Sequence, residues 1–144
     1  MSATLDANVL LYASDRGSSY RERAIDELER YAGGPEPLYL FWPVVMAYLR
    51  ISTHPSVFSR PLAFLDAKAN VEGLLGRRHV RSPGEEEGFW RMFAEAASEA
   101  PTRGDLVPDT HVVALMRQHG VRTIVTRDRD FRRFDGIKVR DPFR

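Results

Sequence analysis

Five consecutive apolar residues, Leu38-Tyr39-Leu40-Phe41-Trp42, lie between Gly33-Gly34-Pro35 and Pro43. A strand with one wet face alternates apolar and polar side chains, whereas an unbroken apolar run belongs to a strand covered on both faces. Helices cover both faces of a sheet when its strands are parallel and joined by crossovers. The run therefore demands helical segments on either side of it, and the chain supplies them. Tyr20, Ala24, Leu28 and Tyr31 recur at helical spacing with charges between them, which predicts a helix over 19–32, capped by Ser18 or Ser19 and stopped by the glycines. Pro43 suits the first turn of a following helix, and Val44 to Ile51 is apolar nearly all round apart from Arg50, the pattern of a buried helix.

The remaining elements continue the alternation. Residues 2–6 read as a short strand that turns at Asp6-Ala7-Asn8 into a helix beginning at Val9. Phe64, Ala67, Val71, Leu74 and Leu75 mark one face of a helix between Pro61 and Gly76, and His79-Val80-Arg81 is a brief strand. Ser82-Pro83-Gly84-Glu85 has the form of a capping box that opens a helix to about Ala100, with Phe89, Trp90, Phe93 and Ala97 as its inner stripe. A helix from Pro108 to His119, a strand over Thr123–Thr126, a helical turn over Asp130–Phe134 and a strand over Ile137–Val139 complete the chain. The expectation is one α/β domain over 1–144 with a small, mainly parallel sheet between helices.

Acids punctuate this pattern. Asp6 follows the first strand, Asp128 follows the Thr123–Thr126 strand, and Asp109 opens a helix, where the dipole favours negative charge. In parallel sheets ligands sit beyond the carboxyl ends of the strands, so these three carboxylates are expected at one edge. Clustered carboxylates repel one another, and a hard cation removes that cost. An oxygen-only donor set suits Mg2+ or Mn2+, which polarises a phosphoryl oxygen and activates water. Asn8 and Thr126 offer an amide and a hydroxyl to orient the acids. Asp130 reads either as a further acid or as the cap of the turn that follows it.

The totals exclude other chemistries. There is no cysteine, hence no disulfide, Cys-ligated zinc or thiol nucleophile. His54, His79, His111 and His119 lack zinc-ligand spacing. No apolar run reaches the length of a membrane span and no basic leader precedes Asp6, so a cytoplasmic protein is expected. Net charge is only +1, but of 21 basic residues only Lys68 and Lys138 are lysine. Arginine forks onto phosphates; codon bias explains the same excess.

Asp6-Ala7-Asn8 with its trailing aliphatics, Phe41-Trp-Pro-Val-Val45 through Leu49-Arg-Ile-Ser-Thr-His-Pro55, Gly104-Asp-Leu-Val-Pro-Asp109 and Thr126-Arg-Asp-Arg-Asp-Phe131 together resemble the PIN-domain ribonucleases, specifically the VapC-type toxins of bacterial toxin–antitoxin pairs. The resemblance spans nearly the whole chain. It implies a three-layer α/β/α domain, Mg2+- or Mn2+-dependent endoribonuclease activity on structured RNA such as transfer or ribosomal RNA, a homodimer, and neutralisation by a VapB-type antitoxin. By position Asp6, Asp109 and Asp128 match the family's first, third and fourth acids, with Asp6 and Asp109 the expected metal ligands. The second acid, a Glu on the helix after the second strand, is missing: no acid lies in Trp42–Thr53, and Ala47 or a neighbour stands in its place. Asp105 is either its substitute or an exposed loop residue. Arg50, Arg127 and Arg129 are candidate substrate contacts, Arg132 and Arg133 flank them, and Arg50 serves equally as a structural or snorkelling charge. Two rival functions stand beside the toxin reading. One is a PIN-like module with weak catalysis that binds RNA or protein; the other is a small-molecule phosphohydrolase, disfavoured by the lack of a phosphate-cradling loop.

Overall fold

A computed structural model describes residues 2–144. The strands β1 (Ala3–Leu5), β2 (Leu38–Tyr39), β3 (Val80–Arg81), β4 (Thr123–Val125) and β5 (Lys138–Arg140) form one parallel sheet in the order β3-β2-β1-β4-β5. Helices α1 (Ala7–Ser14), α2 (Arg21–Ala32), α3 (Trp42–Ser52), α4 (Phe64–Leu75), α5 (Phe89–Ala97) and α6 (Leu106–Gln118) connect them. α1 packs on both α2 and α3, and α3 on α4, while α5 pairs with α6. Right-handed crossovers from β1 outward to β3, and then back to β4, set these two groups on opposite faces of the sheet.

The core lies where the alternation demands it. Leu5, Leu38, Leu40, Phe41 and Ile124 are at most 1% exposed. Val112 to Met116 of α6 are all buried, so the middle of α6 is enclosed on every side. Thr4 is buried within β1, and its hydroxyl donates to the Tyr39 carbonyl at 2.7 Å, which satisfies the polar atom across the strand pair. Buried Glu27 of α2 accepts from Nε and Nη2 of Arg140 at 3.2 and 2.8 Å and ties edge strand β5 to the helical layer.

Several local expectations are corrected. α1 starts at Ala7 because the Asp6 carboxylate caps it, accepting from the Ala7 amide at 2.8 Å. Trp42 belongs to α3, and α3 is not buried all round: Val44, Val45, Tyr48 and Ser52 face the core, while Trp42, Met46 and Arg50, spaced four apart, form an exposed stripe. α4 begins at Phe64, and Phe64 itself is exposed. The Ser82–Glu85 segment does not cap a helix. It stays extended, Gly88 turns with φ +84°, and α5 begins only at Phe89 and ends at Ala97. Trp90, expected inside, is 74% exposed, and only Ala96 of α5 is fully buried. α6 begins at Leu106, which leaves Pro108 within its first turn, where a missing amide is harmless.

Candidate active site

β1 and β4 are neighbours at the middle of the sheet, paired Leu5 to Val125, so Asp6 and Thr126 leave their strands side by side. The Asp6 amide still donates to the Val125 carbonyl at 3.0 Å. The Thr126 hydroxyl is the hub. It donates to Asp6 Oδ2 at 2.8 Å and accepts from Asn8 Nδ2 at 3.0 Å and from the Asp128 amide at 2.9 Å. Asn8 Nδ2 also reaches Asp6 Oδ2 at 3.3 Å, and Asn8 Oδ1 accepts from the Arg127 amide at 3.4 Å. Thr126 is wholly buried, so these bonds form out of competition with water.

Beyond β4 the chain makes a 3-10 turn over Arg129–Arg133. Asp128, not Asp130, caps this turn, its Oδ1 accepting from the Asp130 amide at 2.9 Å. Phe131 is fully buried and anchors the turn, which leaves Asp130 exposed at its start. The half-buried Asp109 comes from the first turn of α6. Carboxylate oxygens of Asp109, Asp128 and Asp130 lie within 4.8 Å of one another. Among the described residues this is the one grouping of three such ligands, and all its donors are oxygen. Asp6 lies outside the trio but within its field.

The electrostatics record the crowding. Burial is the main cause that pushes the Asp109 carboxyl up to about 7, and the charges of Asp6, Asp128, Asp130 and Asp105 add to it. Burial also raises Asp6, with Asp128 acting in the same sense, against the lowering effect of the bonds from Thr126 and the Ala7 amide.

Other predicted residues are placed as follows. Asp105 sits just ahead of α6, exposed, caps nothing with its side chain and lies outside the trio. Arg127 is engaged away from the acids. Its guanidinium stacks 4.6 Å from the Tyr20 ring centroid and donates to the Tyr12 hydroxyl at 3.1 Å, within the Tyr12–Tyr20–Phe143 aromatic cluster. Arg129 and Arg132 are exposed beside the trio, and Arg133 lies 3.6 Å from Asp130. Arg50 is exposed in the last turn of α3 and joins no ion pair among the described residues, so it needs no buried partner. α3 contributes no acid to the site. Membership of Asp130 in the trio is what residue spacing alone understates; the signal for it is Phe131, whose apolar side chain next to the acid pins the turn. A groove of about 770 Å3 between α1, α2, α3 and α4 is lined by none of Asp6, Asp109, Asp128 and Asp130.

A central parallel sheet with an oxygen-only acidic cluster between the end of β4 and the start of α6 defines an α/β domain of the three-layer kind, and the sequence matches the PIN domain over residues 3–137. The chain belongs to the PIN-domain family, among its VapC-type members. It is 48% identical over 143 residues to Ribonuclease VapC48 of Mycobacterium tuberculosis, covering 99% of both chains, and 32% identical over 140 residues to Ribonuclease VapC43 of the same species, covering 96% of this chain and 93% of the relative. In fold it is similar to VapBC2 of Rickettsia felis bound to a promoter DNA fragment, with TM-score 0.70, 14% identity and 97% and 98% of the two chains covered. It is also similar to VapC20 of M. tuberculosis, a toxin that cleaves the sarcin–ricin loop, with TM-score 0.68, 16% identity and 94% and 98% covered. No helix is long and apolar enough to cross a membrane among the described residues.

Proposed function

We propose that this protein is a metal-dependent endoribonuclease toxin that hydrolyses a phosphodiester bond in a structured cellular RNA, acts in the cytoplasm as a homodimer, and is neutralised by a VapB-type antitoxin. The observation that carries the reading is the convergence of Asp109, Asp128 and Asp130 within 4.8 Å, with Asp109 pushed up to about 7. Carboxylates at that spacing repel one another, and the donor set fits a hard divalent ion, Mg2+ or Mn2+. Asp109, Asp128 and Asp130 would hold it, with Asp6 at its edge. When bound, such an ion supplies Lewis acidity at a phosphoryl oxygen and lowers the pKa of water.

The chain's own residues do the rest. Thr126 and Asn8 fix the Asp6 carboxylate in one orientation. We assign Asp6 the proton released as water attacks phosphorus, a role for which its fixed carboxylate is placed. Arg129 and Arg132 are assigned to phosphates flanking the scissile bond. The RNA cleavage named for the relatives and the antitoxin-containing assemblies among the structural neighbours support the substrate and partner classes.

Incubating purified, antitoxin-free protein with total RNA tests the proposal. Cleavage with Mg2+ or Mn2+, its loss in EDTA, and its loss in folded Asp6→Asn and Asp109→Asn variants are expected. One observation favours a second reading, a weakly catalytic RNA-binding module: α3 carries no acid. RNA binding without cleavage in either metal would establish that alternative.

A further inference from the structure

An aromatic cluster adjoins the strand end that carries the acids. Tyr12 of α1, Tyr20 just ahead of α2 and Phe143 beyond β5 meet pairwise with ring centroids 5.1 Å apart. Phe143 is buried, whereas Tyr12 and Tyr20 are half-buried. Arg127 lies on this cluster. Its Cζ stands 4.6 Å from the Tyr20 ring centroid, and its Nη1 donates to the Tyr12 hydroxyl at 3.1 Å. Its backbone is tied as well, because its amide donates to Asn8 Oδ1 at 3.4 Å. In the chain it stands between the buried Thr126 and Asp128 of the acidic trio. A long, flexible cation is thereby held in one place, one residue from Asp128.

No carboxylate accounts for the arrangement. Arg127 joins no ion pair among the described residues. Asp141, whose charge acts on it, is itself paired with Arg144 at 3.3 Å and accepts from the Phe143 amide at 2.9 Å. Arg127 remains exposed, so its guanidinium has a ring on one side and water over the rest. An exposed cation on an aromatic ring adds little to stability. What it offers is a supported, charged plane, and unstacked RNA bases are taken up on aromatic rings and arginine planes. A phosphate needs only charge and donors, which Arg129 and Arg132 present beside the trio. A lysine ammonium has the charge but no plane.

We propose that Arg127, backed by Tyr20 and steadied by Tyr12, is a stacking platform that seats the base of an unpaired nucleotide flanking the scissile bond. The proposal rests on the nuclease assignment and adds to it a residue that selects unpaired RNA at the cut. Full-length proteins carrying Asp109→Asn, which leaves the probe intact, are titrated in Mg2+ against a labelled octaadenylate and an abasic octamer with the same ribose-phosphate chain, read by fluorescence anisotropy. Arg127→Lys and Arg127→Ala should each weaken octaadenylate binding by about fivefold or more. The abasic octamer, already weaker, should lose nothing with Arg127→Lys, which keeps the charge. Because the side chain is exposed, melting temperatures should stay unchanged. Octaadenylate binding unchanged by Arg127→Lys makes Arg127 a phosphate contact and overturns the proposal, as does an equal loss on both octamers. Cleavage of total RNA by the protein with Asp109 intact separates the two assignments. Cleavage together with absent or Arg127-independent octaadenylate binding removes the platform alone, and a protein that neither cuts nor binds RNA removes both.

Discussion

Replacing Asp109 by Asn is expected to stabilise the metal-free protein while abolishing cleavage. In the fold the Asp109 carboxyl is held at about 7 against an ordinary 3.8, first by burial and then by its acidic neighbours. A carboxyl that binds its proton more tightly folded than unfolded favours the fold most below the unfolded value. That stability is lost as pH rises toward and through about 7. The full shift corresponds to roughly 4 kcal/mol. The side chain is only half-buried, and solvent screening reduces this to about 1–2 kcal/mol. For a chain of this size that is roughly 2–8 °C in melting temperature. Thermal unfolding in EDTA should show the wild type melting lower at about pH 8 than at about pH 5. Asp109→Asn should show a shallower slope, with the residue due to Asp6, and a higher melting temperature at the upper pH. Mg2+ should raise the wild-type value and move the variant less. A flat wild-type profile in EDTA, or a variant that melts below wild type at about pH 8, would refute the reasoning.

Thr126→Val removes the hydroxyl that serves Asp6, Asn8 and the Asp128 amide while keeping its volume; a loss of about 1–3 kcal/mol by chemical denaturation and a cleavage rate lowered at least tenfold are expected. An unchanged rate would show that Asp6 needs no positioning. Phe131→Ala empties the fully buried anchor of the 3-10 turn and should cost about 3–5 kcal/mol. In a still-folded sample at low temperature, Mn2+ affinity should fall because Asp128 and Asp130 lose their fixed spacing; unaltered affinity would contradict the trio. Calorimetric titration with Mn2+ should give about one ion per chain, since every acid of the cluster comes from the β1, β4 and α6 side; a stoichiometry of two would count against the trio as the sole cation site.

Much of this architecture was legible because it follows from apolar periodicity. Leu38 to Phe41 had to be covered on both faces, and the parallel order with β1 in the middle satisfies that demand. That Asp6, Thr126 and Asp128 lie together was legible because strand ends in such a sheet point to one edge. The cap assignment was not. Asp128 and Asp130 have the same chemistry two residues apart, and only burial of Phe131 decides which of them caps and which projects. Trp90 misled for a related reason: helical spacing reveals a stripe, but not whether a second layer exists to cover it, and α5 buries only Ala96 completely. Ser82 to Glu85 had the letters of a capping box, yet Glu85 is drawn to His111 and Gln118 holds the backbone of Glu86 and Glu87, so tertiary bonds override the local signal.

The missing acid on α3 changes how the remaining carboxylates must behave. With a Glu opposite them, the charge would be spread across the cleft and could be shared between two cations. Here Ala47 is half-buried and Met46 exposed on α3, while Asp6, Asp105, Asp109, Asp128 and Asp130 crowd one side. Such a cluster can lower its repulsion only by taking up one cation or one proton, and Asp109 is the group on which the choice falls. On the proposed metal assignment, cation and proton compete for the same carboxylate. Apparent Mg2+ affinity should rise with pH up to about 7 and level off above it, because only the ionised form of Asp109 is a ligand. Calorimetry across about pH 6 to about pH 8 measures this directly. Pairing a wild type that follows this curve with an Asp109→Asn variant that does not assigns the competition to Asp109 rather than to Asp6, whose carboxylate is already held by Thr126 and Asn8.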